Sequence, residues 1–157
     1  MAKKILVAFD DSENAMRAVE FIATSFTKEK EITLFSVLPD TIAICDMNSP
    51  SLTPYFISKQ AEFCALEDQK KELVDEALQK AKEILLNAGF EENNIIMKAQ
   101  TKKKGVVRDI ISEANSGYDT IVLGRRGLSG IKEFIFGSVS QKVLHLLTKD
   151  ISVIVVD

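Results

Sequence analysis

Thr120-Ile121-Val122-Leu123-Gly124-Arg125-Arg126-Gly127, nine further residues, then Gly137-Ser138-Val139-Ser140: this stretch decides how the chain folds. Its first four residues form a short apolar run of the kind that fills a strand buried on both faces. Glycines follow, and a helical spacing then opens with Val143, Leu144, Leu146 and Leu147. A strand that runs through glycines into a helix start can hold an anion. Glycine lets backbone N–H groups approach closely, and the helix N-terminus adds unpaired donors and the positive end of a dipole. The residues therefore predict a phosphate cradle, with a nucleotide as the fitting ligand.

Working outward, the same strand-then-helix alternation recurs. Lys4 to Phe9 is an apolar run, followed by Asp10, Asp11 and Ser12 as capping residues and by a helix carrying Ala15, Ala18, Val19, Ile22 and Phe26. Ile32 to Leu38 predicts a second strand. The spacing of Phe63, Leu66, Leu73, Ala77, Ala81, Ile84 and Ala88 predicts a long helix over Lys59–Ala88, ended by Gly89 as its C′ residue. Asn94 to Gln100 predicts a third strand, more polar at its end and so nearer a sheet edge. Val106 to Ala114 predicts a helix closed by Asn115-Ser116-Gly117, and Ile151 to Val156 a fifth strand. Strands alternating with helices give a doubly wound, parallel α/β sheet with helices on both faces, in a single domain over residues 1–157. Pro39 to Ser58 is left as a long connection, a length usually kept for function or motion.

Composition narrows the functional classes. A chain of 157 residues, 46% hydrophobic and 27% charged, can bury a two-sided core without staples. A net charge of −3 argues against general nucleic-acid affinity. The apolar run after Lys3-Lys4 is too short for a signal-peptide core, and no segment approaches transmembrane length, so a cytoplasmic location away from membranes is expected. Cys45 and Cys64 are expected to be free thiols on the same ground, since an intracellular domain of this size needs no crosslink.

Gly124-x2-Gly127-x9-Gly137-Ser138 resembles the nucleotide-binding signature of the universal stress protein family, in its ATP-binding subgroup. The resemblance runs from Ile5-Leu6-Val7-Ala8-Phe9-Asp10 to Ile151-Ser152-Val153-Ile154-Val155-Val156, with no clear family pattern over about 39–58. It implies the strand order 3-2-1-4-5 for the five-stranded sheet. It also implies ATP as ligand, with Mg²⁺ arriving on the phosphates, and an adenine nucleotide as the small-molecule partner. Gly137, Ser138, Val139 and Ser140 would meet the phosphates, and Asp10, with Ala8 and Phe9 before it, would lie towards adenine and ribose. Val37 and Leu123 match positions that line the adenine, Gly124 and Gly127 belong to the loop, and Arg126 is the loop arginine favoured for phosphate. Phe9 stands where many relatives place a smaller residue and would narrow the pocket. A homodimer through the last strand is the family's common assembly.

Residue chemistry supplies the alternatives. Ser138-x-x-Gln141 is a capping-box pattern that needs no ligand. Lys102-Lys103-Lys104 reads as a solvated loop, and His145, the one histidine, has no evident catalytic partner. No Walker motif, dinucleotide fingerprint, zinc set or nucleophile–base–orienter set is present. The expectation is an ATP-binding stress-response or signalling module with at most weak hydrolysis. A slow ATP hydrolase and a dimeric interaction protein that binds no nucleotide are the alternatives.

Overall fold

β1 (Lys4–Ala8) is the strand on which the others are arranged, paired in parallel with β2 (Glu31–Leu38) on one side and β4 (Thr120–Gly124) on the other. The computed structural model describes residues 3–10, 12–38, 40–46, 53–124, 138–147 and 150–157. With β3 (Ile95–Thr101) beyond β2 and β5 (Ser152–Val156) beyond β4, the sheet has five strands, all parallel, in the order 3-2-1-4-5. Both the fold class and the strand order expected from the sequence are thus observed.

Alternation along each strand divides the core between two faces. Ile5, Val7 and Phe9 face one layer with Ile32, Leu34 and Val122. That layer is completed by Ala15, Ala18, Val19 and Ile22 of α1 (Glu13–Ser25) and by Leu78, Ala81 and Leu85 of a 34-residue helix that is α3 below. Leu6, Phe35, Ile121 and Leu123 face the other layer, against Ile110 and Ala114 of the helix Val106–Ala114 and Val143 of the helix Ser138–Leu146, which are α4 and α5.

Local chemistry sets where the helices begin and end. Ser12 caps α1, its Oγ accepting from Ala15 N–H at 3.2 Å, and Glu13 in the first turn complements the dipole. After β2 the chain forms one short turn of helix, α2 (Ile42–Cys45), and then α3 (Pro54–Asn87). α3 begins earlier than the apolar spacing predicts because Thr53 caps it, its Oγ1 accepting from Phe56 N–H at 3.2 Å, and Pro54 fits the first helical position. The connection expected over 39–58 is shortened accordingly. Gly89 ends α3 at φ +106°, with Phe90 N–H bonded to Leu85 O and Gly89 N–H to Leu86 O, so the predicted C′ glycine is in place. α3 leaves Tyr55, Ile57, Leu66 and Leu73 exposed.

Cys45 and Cys64 are joined in a disulfide across a sequence separation of 19, with Cα atoms 6.0 Å apart, which overturns the expectation of free thiols. The short helix α2 brings Cys45 onto α3. A crosslink closing a loop of this size stabilises by about 3 kcal/mol in the chain-entropy account.

The edges are ordered by polar pairs. Lys98 Nζ lies 2.8 Å from Glu113 Oε2, and Tyr118 donates its hydroxyl to Glu113 Oε1 at 3.0 Å. Burial raises the Tyr118 hydroxyl to about 12. Lys102, Lys103 and Lys104 are exposed, as expected, and buried Asp109 holds their loop by accepting from Lys103 and Lys104 N–H at 2.8 and 3.1 Å. His145 is exposed on α5. No helix among the described residues is long and apolar enough to cross a membrane.

One contact sets the approach of α1 to β4. A Cβ built on Gly124 would lie 3.0 Å from the backbone carbon and oxygen of Asn14, tighter than ordinary contact, so a larger residue here requires the first turn of α1 to give way. Gly124→Ala is expected to destabilise the fold by about 1–3 kcal/mol, because backbone and not a flexible side chain must yield. Leu85→Ala should cost about 2–5 kcal/mol through the cavity left between α3 and the sheet. Urea unfolding of each variant measures both. A Leu85→Ala midpoint equal to that of the parent would contradict the packing described.

Candidate functional site at the carboxyl edge of the sheet

In a parallel sheet every strand ends on the same edge, and the crevice opens where the chain switches direction between neighbouring strands. Here that point lies between β1 and β4, because β1 leads outward to β2 while β4 leads outward to β5. In register, Ala8 pairs with Phe35 on one side and Leu123 on the other, and Leu123 pairs in turn with Val155. The candidate residues Ala8, Phe9, Asp10, Leu123 and Gly124 are therefore gathered at one edge by the register alone.

Each has a distinct setting. Ala8, Val37 and Leu123 all lie on the face covered by α4 and α5, where Leu123 is fully buried and Ala8 and Val37 are packed against the core at its rim. Val37 pairs with Gln100 of β3, one strand further out. Phe9 faces the opposite layer and is buried in the core beneath α1 and α3. Its backbone is engaged as well, with its N–H donating to Phe35 O at 2.8 Å and its carbonyl accepting from Ser36 Oγ at 2.9 Å. Phe9 is thus a wall of the edge. Its ring fills the core layer, which is a different part from the narrowing of the pocket that the sequence suggests.

Asp10 is half-buried, and its Oδ1 accepts from Ser12 N–H at 2.8 Å. That bond fixes the carboxylate next to the start of α1, and a carboxylate with two oxygens retains capacity for a second donor. Of the three capping candidates at this turn, Ser12 takes the cap and Asp10 supports it; Asp11 lies outside the described residues.

α5 is the crossover between parallel strands β4 and β5, so its N-terminus lies on the edge where β4 ends. Ser138, Val139 and Ser140 form its first turn. Ser138 is already helical, whereas the capping-box pattern would place it just before the helix. Arg126, Gly127 and Gly137, with Arg125 and Gly130, lie outside the described residues. The edge thus receives two helix N-termini, those of α1 and α5, whose dipoles favour negative charge. Among the described residues, no group of three or more His, Cys, Asp or Glu side chains is placed to hold a metal ion.

Two residues that the motif does not single out hold this edge together. Ser36 ties the end of β1 to β2 from a buried position. Asn14 presents the backbone against which Gly124 packs. Ser36 leaves a trace in the sequence, as a polar residue inside the apolar run Ile32–Leu38 that must find a partner when buried. Asn14 leaves none, since its part is played by backbone.

The model of the universal stress protein family matches residues 1–156. The chain is 31% identical over 160 residues to universal stress protein MJ0577 of Methanocaldococcus jannaschii, covering 98% of this chain and 95% of that one. It is 29% identical over 149 residues to universal stress protein YxiE of Bacillus subtilis, covering 94% and 95%. A solved structure of MJ0577 matches with a TM-score of 0.69 at 24% identity, over 99% of this chain and 96% of that one. A universal stress protein solved in complex with cAMP matches with a TM-score of 0.61 at 18% identity, over 99% and 97%. At those identities the structural likeness speaks to the fold, and the family follows from the sequence match along nearly the whole chain. With its parallel sheet in the order 3-2-1-4-5 and this match, the chain belongs to the universal stress protein family.

Proposed function

We propose that the chain is an ATP-binding module of stress response or signalling, with the nucleotide held at the carboxyl edge between β1 and β4. The observation that carries the reading is the convergence of two helix N-termini on the strand ends that bear Asp10 and Gly124. The two termini differ in a way that favours α5 for the phosphates. α1 is capped from within by Ser12, whereas the residue that precedes α5 in the sequence is Gly137, a residue type with no side chain to cap. The first-turn N–H groups of α5 then suit an external acceptor such as a phosphate oxygen. Asp10 would accept from a ribose hydroxyl while Ser12 N–H holds its orientation, and Ala8 and Val37 supply the apolar rim for adenine, backed by buried Leu123. The spacing Gly124-x2-Gly127-x9-Gly137-Ser138 and membership of a family with a cAMP-bound member support an adenine nucleotide. Mg²⁺, where present, would come with the phosphates.

Binding, and not turnover, is the activity this residue set fits. The edge offers positioning and charge, and positioning alone sustains only slow phosphoryl chemistry. Calorimetric titration of nucleotide-stripped protein with ATP and Mg²⁺ is expected to saturate at about one ATP per chain. Gly137→Val should weaken that affinity by about tenfold or more, ~1.4 kcal/mol, with the fold intact by circular dichroism. Unchanged affinity in that variant would contradict the assignment, and tighter binding of cAMP than ATP would reassign the ligand.

The cytoplasm is the proposed location, and a second copy of the chain the proposed partner, meeting through β5. That strand is terminal in the sheet and its residues Val153 to Val156 are only half-buried, so its outer edge offers an apolar surface and a row of backbone groups for pairing. Val153→Lys is expected to sediment as a monomer where the parent sediments as a dimer. A dimer that persists in the variant would place the interface elsewhere.

A further inference from the structure

The Cys45–Cys64 disulfide lies where the chain leaves the candidate site. β2 ends at Leu38, one residue past Val37, and Lys102 N–H reaches back to Leu38 O at 2.7 Å, so the exit lies on the carboxyl edge beside β3. The chain then turns at buried Thr41, whose carbonyl accepts from Ile44 and Cys45 N–H at 3.2 and 2.8 Å. These bonds make α2, a helix of only four residues. A single turn does not hold itself in water, since one or two hydrogen bonds do not offset the cost of nucleation. The amide of Gln60, donating to Ile44 O, and the disulfide from Cys45 to Cys64 dock it on α3.

Both half-cystines are only half-buried, and exposed Ile44, Asp46, Phe63 and Ala65 flank them in the chain. A thiolate from solvent can therefore reach the bond, which is the condition for exchange. We infer that this pair is a redox-reversible clamp on residues 40–46, and that its closure strengthens ligand binding at the carboxyl edge. The inference rests on the ATP-binding reading given above for its ligand, and on the placement of the crosslink for its mechanism.

The chemistry balances with a dithiol as reductant. Its thiolate attacks one sulfur of the pair, the Sγ–Sγ bond breaks, and a mixed disulfide forms. The second thiol of the reductant then displaces the protein sulfur. Two electrons and two protons end on Cys45 and Cys64 as thiols, and the reductant leaves as its own disulfide. Oxidised glutathione reverses the exchange. With the crosslink open, the covalent tie of α2 to α3 is lost, so residues 40–46, which follow the end of β2, are held less firmly. A ligand that needs that segment ordered must then order it on binding, and its affinity falls by that cost.

Three measurements on the full chain test the clamp: thiol titration of denatured, unreduced protein, hydrogen exchange at residues 40–46, and the ATP affinity. Each is made before and after dithiothreitol, on the parent and on the double variant Cys45→Ser/Cys64→Ser. The expected parent has no titratable thiol until reduced. Its exchange at 40–46 then quickens about tenfold or more while β1 stays protected, and its ATP affinity falls about fivefold or more. Oxidised glutathione restores both, and the double variant behaves as reduced protein in either condition. Two free thiols in the unreduced parent, or exchange at 40–46 that ignores dithiothreitol, would overturn the clamp. Equal ATP affinity in both redox states would overturn its coupling to the site. If ATP bound in neither state, the functional reading and the coupling would fall together, and the exchange result alone would decide the clamp.

Discussion

Parallel pairing of β1 on both sides is the constraint on which the rest depends. A strand hydrogen-bonded along both edges and covered on both faces must be apolar throughout, and Ile5, Leu6 and Val7 are all fully buried. The same pairing aligns Ala8 with Phe35 and Leu123, so the ends of three strands come level. Since the chain travels outward from β1 to β2 and later outward from β4 to β5, the helices that follow β1 and β4 diverge to opposite faces. The space between their N-termini is the crevice. No loop has to build it, because the order of the strands creates it.

Close approach then sharpens the edge. Gly124 admits the backbone of Asn14 to a distance at which a Cβ would be crowded, so the first turn of α1 lies close against the end of β4. Ser36 fixes the Phe9 carbonyl, and Asp10 with Ser12 fixes the turn into α1. The result is an edge whose polar groups at the end of β1 are committed to one another, with the N-terminus of α5 facing the same edge. Among the described residues, no group of three or more His, Cys, Asp or Glu side chains is gathered here to hold a metal ion.

The strands were legible because each is a run of apolar residues bounded by polar or glycine punctuation, and burial on two faces leaves little choice of composition. The helix Val106–Ala114 was legible to the residue. The strand order was not encoded in any single run and came with the family resemblance. The start of α3 lies ahead of its apolar spacing, because the deciding signal is Thr53-Pro54, a cap and a first-turn proline at which the chain turns into helix. The disulfide was missed because spacing in sequence does not reveal that a four-residue helix brings Cys45 within 6.0 Å of Cys64, Cα to Cα. At the site, Asp10 and Gly124 were found as ligand candidates, yet both also serve the fold, Asp10 through Ser12 and Gly124 through Asn14. A sequence motif names such residues without separating the two duties.

The central claim is that an adenine nucleotide sits at the β1–β4 edge with its phosphates on α5. The most direct measurement follows backbone amide shifts of ¹⁵N-labelled protein while ATP and Mg²⁺ are added. The account predicts saturable shifts concentrated at Ala8, Asp10, Gly124 and the first turn of α5 at Ser138 to Ser140, with the exposed end of α3 near Tyr55 unaffected. Shifts confined to other surfaces, or none at saturating ATP, would contradict it.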